Sequence, residues 1–167
     1  NQGCLEFHPW LSKADKPDYP DKAVIDLDPC NDDMKKVREA ARVLVRELQD
    51  REIEVQLMTS GSSGYHLITP LNSKRTFDEV RADWKELTVV VAEAHPDLLT
   101  TEQRKAKRGD RVYLDIARNA YAQTSICPYS VRARKGAPVA APLRRDELDD
   151  SEIHPRKYGV RNLFRRL

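Results

Sequence analysis

The chain has 167 residues, 40% hydrophobic and 34% charged, which is enough for one domain with a real core and ordinary for a globular protein. Its 29 basic and 27 acidic residues leave a net charge of +2, so overall charge excludes a strongly polybasic nucleic-acid binder and local clusters must carry any such argument. The three cysteines, Cys4, Cys30 and Cys127, are far apart and lack C-x-x-C spacing, which argues against a disulfide framework or zinc knuckle and for a reducing compartment; no apolar run approaches membrane-spanning length and no signal peptide is visible.

Residues 3–8 alternate in polarity and are predicted as a short strand, with Leu5 and Phe7 inward, Glu6 and His8 outward, and Pro9 as its stop. Residues 12–22 are polar, hold Pro17 and Pro20, and read as a loop. The apolar, β-branched run 23–27 is predicted as a buried strand that ends before Pro29. Asn31 or Asp32 is placed to cap a helix in which Met34, Val37, Ala41, Leu44 and Leu48 recur at helical spacing, to about Arg51. Strands 54–59 and 65–69 flank a Gly/Ser turn at 60–64 and form a predicted hairpin. Thr76-Phe77-Asp78-Glu79 is a capping box opening a second helix. The stripe of that helix is Phe77, Val80, Trp84, Leu87, Val91 and Ala94, and His95-Pro96 ends it. Residues 112–116 and 129–133 are predicted as further strands. Two long helices with a mostly antiparallel sheet give a two-layer α+β domain.

Five stretches carry residue types suited to chemistry. In V-I-D-L-D-P, side chains alternate, so Asp26 and Asp28 share one face. Paired carboxylates repel and call for a counter-charge, commonly a divalent cation; the plain alternative is two solvated aspartates at a turn. Ser60-Gly61-Ser62-Ser63-Gly64-Tyr65-His66 suits a phosphate nest of backbone N–H groups, serine hydroxyls and the His66 ring, and it suits an ordinary hairpin turn as well. Asp115, on the face opposite to Val112 and Leu114, is a third carboxylate that could complete a two-metal site or merely end a strand. As a strand, 129–134 would place Ser130, Arg132 and Arg134 on one face; two guanidiniums suit a polyphosphate, or form a solvated basic edge. The basic run 104–111 suits a nucleic-acid backbone or a solvated loop.

Taken in order, D-x-D, S-G-x-x-G-x-H, the third Asp and Y-S-x-R-x-R resemble the archaeo-eukaryotic primase superfamily. More narrowly the chain resembles the polymerase domain of bacterial ligase D and its stand-alone archaeal relatives. Leu5-Glu6-Phe7-His8-Pro9-Trp10 is similar to that family's E-L-H-P-W, and the residues Asp115 to Ala120, then Gln123-Thr124, follow its D-Y-x-x-N-x…Q-T pattern. Residues 134–139, Pro142-Leu143 and Asp146-Glu147-Leu148 also fit.

The resemblance implies a primase-polymerase catalytic core performing template-directed DNA or RNA synthesis that fills gaps in double-strand break repair by non-homologous end joining. It implies two divalent ions, Mn²⁺ or Mg²⁺, held by Asp26, Asp28 and Asp115. It implies that Ser60 and His66 hold the incoming nucleotide's phosphates, that Arg132 and Arg134 contact the triphosphate, and that His8 lies near the nucleotide. Arg118 and Asn119 sit beside the third carboxylate. Implied partners are primer-template DNA with gapped or broken ends, NTP or dNTP, a DNA ligase and a Ku-like end-binding protein, with no membrane, in a prokaryotic cytoplasm at the nucleoid. Residues 1–167 are expected to form a single catalytic domain in shortened form, without the family's usual N-terminal segment, which helps recognise a 5′-phosphate. Two departures stand out: Met58 occupies a place that is usually basic, and Ser62-Ser63 replaces a commoner G-R or G-K pair. Two rival readings are a non-catalytic nucleic-acid-binding module of primase descent, which the three retained carboxylates oppose, and an Asp-nucleophile phosphohydrolase. The latter expects Thr or Val soon after the second Asp, where Pro29 and Cys30 stand.

Overall fold

A computed structural model describes residues 3–165. At its centre lies β1 (Lys22–Asp28), in which Ala23, Val24, Ile25 and Leu27 are buried. Its neighbours are β3 (Tyr65–Pro70) and β5 (Val112–Asp115), both antiparallel to it. β2 (Gln56–Thr59) pairs with β3 as the expected hairpin. Two further strands, β4 (Leu99–Thr100) parallel to β5 and β6 (Pro142–Leu143) antiparallel to β2, complete a six-stranded sheet in the order β4-β5-β1-β3-β2-β6. Both are two residues long, too short to leave a period in the sequence.

Helix α1 (Met34–Asp50) buries Val37, Ala40, Ala41, Leu44, Val45 and Leu48. Its cap is Asp33, one residue later than predicted: the Asp33 carboxylate accepts from the N–H groups of Lys35 and Lys36, both at 3.0 Å. Asn31 instead accepts from the Asp33 N–H and shapes the approach. Helix α2 (Phe77–Ala94) begins with the predicted capping box of Thr76 and Glu79. Its buried stripe is Phe77, Val80, Thr88, Val91 and Ala92, while Ala94 is exposed and Trp84 and Leu87 are only half-covered. Thr88 can be buried because its hydroxyl donates to the Trp84 carbonyl at 2.8 Å.

Ile25, Leu27, Leu57, Leu67 and Leu114 pack with α1 and the second half of α2 in one continuous core. The opposite face carries Val24 with Leu11 and Phe77, and then the polar residues of the site. The α+β architecture with helices packed on a mostly antiparallel sheet is as expected.

Two predicted strands do not form. Residues 3–9 are an irregular strap, with Leu5 and Phe7 exposed rather than inward. The strap is pinned to residues 125–130 by scattered bonds: Cys127 N–H to Phe7 O, Ser125 N–H to Pro9 O, and Phe7 N–H to the Ser130 hydroxyl. Residues 129–133 are turns, because Tyr129 adopts φ +67° and the Arg134 N–H folds back to the Arg132 carbonyl; only Val131 makes a bridge, to Val139. Ser130 is buried and Arg134 exposed, so Ser130, Arg132 and Arg134 do not share a strand face.

Asn119 finishes the edge of β1 where β5 has stopped pairing. Its amide accepts from the Val24 N–H and donates to the Val24 carbonyl, both at 2.8 Å, with the side chain buried. Asn119→Ala strands both backbone groups and should cost about 2–4 kcal/mol in a urea titration.

Candidate active site

Directly opposed residues of an antiparallel pair share a face. The register therefore sets Asp115, Asp26, His66, Met58 and Pro142 in one row across the sheet, with Asp28 and Tyr113 in a row beside it. This is the face away from α1. Three carboxylates from two strands thus lie on one surface, and the strain shows at Asp28. Burial first and the Asp26 charge next push its carboxyl above the ordinary aspartate range, with Asp115 adding to the effect.

Arg108 is the main opposing charge. It is buried, with Nη1 3.8 Å from Asp28 Oδ2 and its guanidinium over the Tyr113 ring at 4.1 Å. Its Nε and Nη2 donate to the carbonyls of Glu102 and Gln103. Nothing in the spacing of R-K-A-K-R-G-D-R distinguishes Arg108 from its neighbours, so the sequence alone could not find it.

Each acidic group is also turned to a protein partner. Asp26 Oδ1 lies 3.3 Å from His66 Nε2, and His66 Nδ1 lies 3.4 Å from the Ser125 hydroxyl. Asp115 Oδ1 accepts from the Ala117 N–H and starts the short helical turn Ala117–Asn119. Among the described residues, no three of His, Cys, Asp and Glu converge as a ready-made metal cluster. The donor set nonetheless fits a hard divalent cation, being all carboxylate oxygen, on one face, and under mutual repulsion.

The Ser/Gly loop faces these carboxylates. Ser60 Oγ accepts from the N–H groups of Ser62 and Gly64, both at 3.1 Å, so its first role is to hold the loop's shape. Its proton remains able to donate into the cleft. Gly61 adopts φ +64°, and a Cβ there would meet Arg132 Cγ at 2.6 Å. Arg132 thus lies over the loop and donates to the Ser60 carbonyl at 3.3 Å. Met58 is buried with Ile126 and Ala140 and brings no charge to the site.

A cleft of about 470 Å³ brings together His8, Asp26, Asp28, Ser60, His66 and Arg132, and it adds Arg118 and Thr124. Asp115 stands beside it through its pairing with Asp26. Arg134 lies on the exposed turn and does not line it. Arg118 is exposed, and its guanidinium has no ion-pair partner among the described residues.

Glu6 carries no role in the sequence reading, yet it ties the strap to the site. It accepts from the Ala133 N–H at 2.7 Å, contacts His8 Nε2 at 3.1 Å, and lies 3.4 Å from Arg132 Nε. The Ala133 hydrogen bond first, then His8, hold its carboxyl below the ordinary value of 4.5. A depressed carboxyl contributes its full stabilisation above the ordinary value and loses it as pH falls through the lower, folded-state value. Amide protection factors of residues 3–8, taken relative to intrinsic exchange at each pH, should therefore fall below pH 4.5 in the native protein, and be low already at pH 7 in Glu6→Ala.

Acidic strand ends that face a glycine-serine loop and an arginine across one cleft, on a sheet of this order, are the features of a primase-polymerase domain, the nucleotidyltransferase class. The family model described as the LigD primase-polymerase domain matches residues 1–167, and the chain belongs to that family. It is 31% identical over 166 residues to the multifunctional non-homologous end joining protein LigD of Pseudomonas aeruginosa, covering 99% of this chain and 20% of that protein. It is 37% identical over 169 residues to the bifunctional non-homologous end joining protein LigD of Bacillus subtilis, covering all of this chain and 27% of that one. The solved polymerase domain of Mycobacterium tuberculosis ligase D, in complex with DNA, superposes with a TM-score of 0.82 at 30% identity, over 97% of this chain and 57% of that one. The chain therefore spans about a quarter or less of its curated relatives. Among the described residues no helix is long and apolar enough to cross a membrane.

Proposed function

We propose that this chain is a template-directed nucleotidyltransferase that extends a primer strand to fill gaps at broken DNA ends during non-homologous end joining. The observation that carries the reading is the placement of Asp26, Asp28 and Asp115 on one sheet face, opposite the Ser60 loop and Arg132. The ligase D relatives and the DNA complex of the structural neighbour support it. Asp26, Asp28 and Asp115 would hold two divalent ions, Mn²⁺ or Mg²⁺, whose charge acidifies the primer 3′-hydroxyl and stabilises the leaving pyrophosphate. Arg132 would neutralise triphosphate charge from across the cleft, the Ser60 hydroxyl would donate to a phosphate oxygen, and His66 would do so through Nε2 once Asp26 turns from it to a cation. His66 also orients Asp26, its partner at 3.3 Å. His8 and Arg118 border the nucleotide. The substrates are NTP or dNTP on a DNA primer-template, the partners a ligase and a Ku-like end-binding protein, and the setting a prokaryotic cytoplasm at the nucleoid. Residues 1–167 act as one catalytic domain.

The test is extension of a primer on a gapped, 5′-phosphorylated duplex with Mn²⁺ and NTPs or dNTPs. Template-dependent addition is expected; a folded chain that binds this DNA without extending it would instead be a non-catalytic module. Arg132→Ala should raise the nucleotide KM about tenfold or more, while Arg134→Ala, whose side chain stands outside the cleft, should change it by less than about threefold.

A further inference from the structure

The proposed chemistry leaves one feature at the cleft rim unused. Trp10 bridges Thr124, and Thr124 lines the cleft. Tyr121 follows the helical turn that carries Arg118 into the same cleft. The two rings meet at 5.6 Å between centroids and 72° between planes, and Tyr121 meets Phe77 at 5.7 Å and 87°. Phe77 is a buried foot, whereas Trp10 is 41% and Tyr121 53% exposed. Neither ring is covered face to face by its neighbour.

The backbone holds this arrangement in place. The Gln123 N–H donates to the Ala120 carbonyl, and Ala122 adopts φ +59°, a left-handed conformation uncommon for a residue with a Cβ. Tyr121 is the corner residue of that tight turn, so its outward position is built into the chain.

Half-exposed aromatic rings at the edge of a cleft that carries Arg118 and Arg132 match the chemistry of an unpaired nucleobase, whose π-face stacks on an aromatic ring whatever its identity. Arg118, unpaired beside them, supplies charge for the attached phosphate. We propose that Trp10 and Tyr121 form a base-stacking shelf for the single-stranded part of the template. The shelf is continuous with the nucleotide cleft, where a template necessarily displays unpaired bases ahead of the primer end. This rests on the nucleotidyltransferase reading above.

The experiment is fluorescence anisotropy of a labelled primer-template carrying a single-stranded template overhang, against the same duplex with blunt ends, over a range of salt. Tyr121→Ala and Trp10→Leu should each weaken overhang binding about tenfold and leave blunt-duplex binding unchanged. The salt dependence should keep its slope, because no phosphate contact is removed. A second measurement leaves the shelf intact. The chain has two tryptophans, and the buried indole N–H of Trp84 has no hydrogen-bond partner among the described residues, so Trp84→Phe leaves Trp10 as the tryptophan emitter. Its emission should be quenched by the overhang probe and not by the blunt one. Equal affinities in the variants with no quenching overturn the shelf alone. A native chain that binds neither probe overturns the shelf together with the nucleic-acid reading.

Discussion

Template-dependent extension by an Asp26→Ala/Asp28→Ala variant should fall by roughly a thousandfold or more while the protein stays folded. The size of the effect follows from the absence of substitutes. Among the described residues Asp115 is the only other carboxylate paired into these two rows of the sheet, and a single carboxylate cannot hold two cations against a triphosphate. Retained folding follows from electrostatics. Asp28 is held above its ordinary range by burial and by Asp26, so its ionised form opposes the fold when no cation is present. The metal-free variant should melt no lower than the native protein. Added Mn²⁺ should raise the native melting temperature and leave the variant's unchanged, since only a ligand that binds the folded state stabilises it. A variant that extends primers at the native rate would remove the acidic row from the mechanism.

Gly64→Ala should be the most destructive of the glycine-to-alanine changes among the described residues. A Cβ at residue 64 would sit 1.8 Å from the Leu27 carbonyl oxygen and 3.6 Å from an Asp26 carboxylate oxygen. The obstacle is the backbone of β1 itself, between Asp26 and Asp28, so no side-chain rotation relieves it. Either β1 or the 60–64 loop must move, with a loss on the order of 4 kcal/mol or more, a large share of a typical domain's 5–15 kcal/mol. Gly61→Ala makes a sharp control. Its burden is a left-handed φ of +64°, a clash with the flexible Arg132 side chain and tight 3.2 Å contacts with the Val139 and Ala140 backbone, which together should cost about 1–3 kcal/mol. Chemical denaturation of the two variants separates the cases. Equal, small losses would mean that the loop does not press on β1 as described.

The elements with long periods were legible. Helices α1 and α2 announce themselves through apolar residues at helical spacing and, for α2, a capping box; β1 through a β-branched run stopped by Pro29. Errors came where local pattern had no partner. Residues 3–8 alternate like a strand, yet no ladder accepts them: the Phe7 N–H donates to the Ser130 hydroxyl and the Phe7 carbonyl accepts from the Cys127 N–H. Residues 129–133 are rich in strand formers, yet Tyr129 turns left-handed and the arginines separate, one into the cleft and one into solvent. A cap one residue late at Asp33 reflects the equal capping chemistry of Asn31, Asp32 and Asp33.

For the site, the sequence by itself determined the residue types and their local faces. The period of two in a strand puts Asp26 and Asp28 together, and the glycines at 61 and 64 mark a loop with special backbone needs. It also carried enough ordered motifs for the family to be recognised from Leu5 through Leu148. The tertiary structure alone decided which distant residues meet. Asp115 reaches Asp26 because β5 pairs beside β1, Glu6 reaches Arg132 because the strap crosses the turn, and Arg108 folds in over Tyr113. The physical reason is that strand order and burial are settled by packing across the whole sheet, through contacts between residues far apart in the chain, and these leave no local period to read.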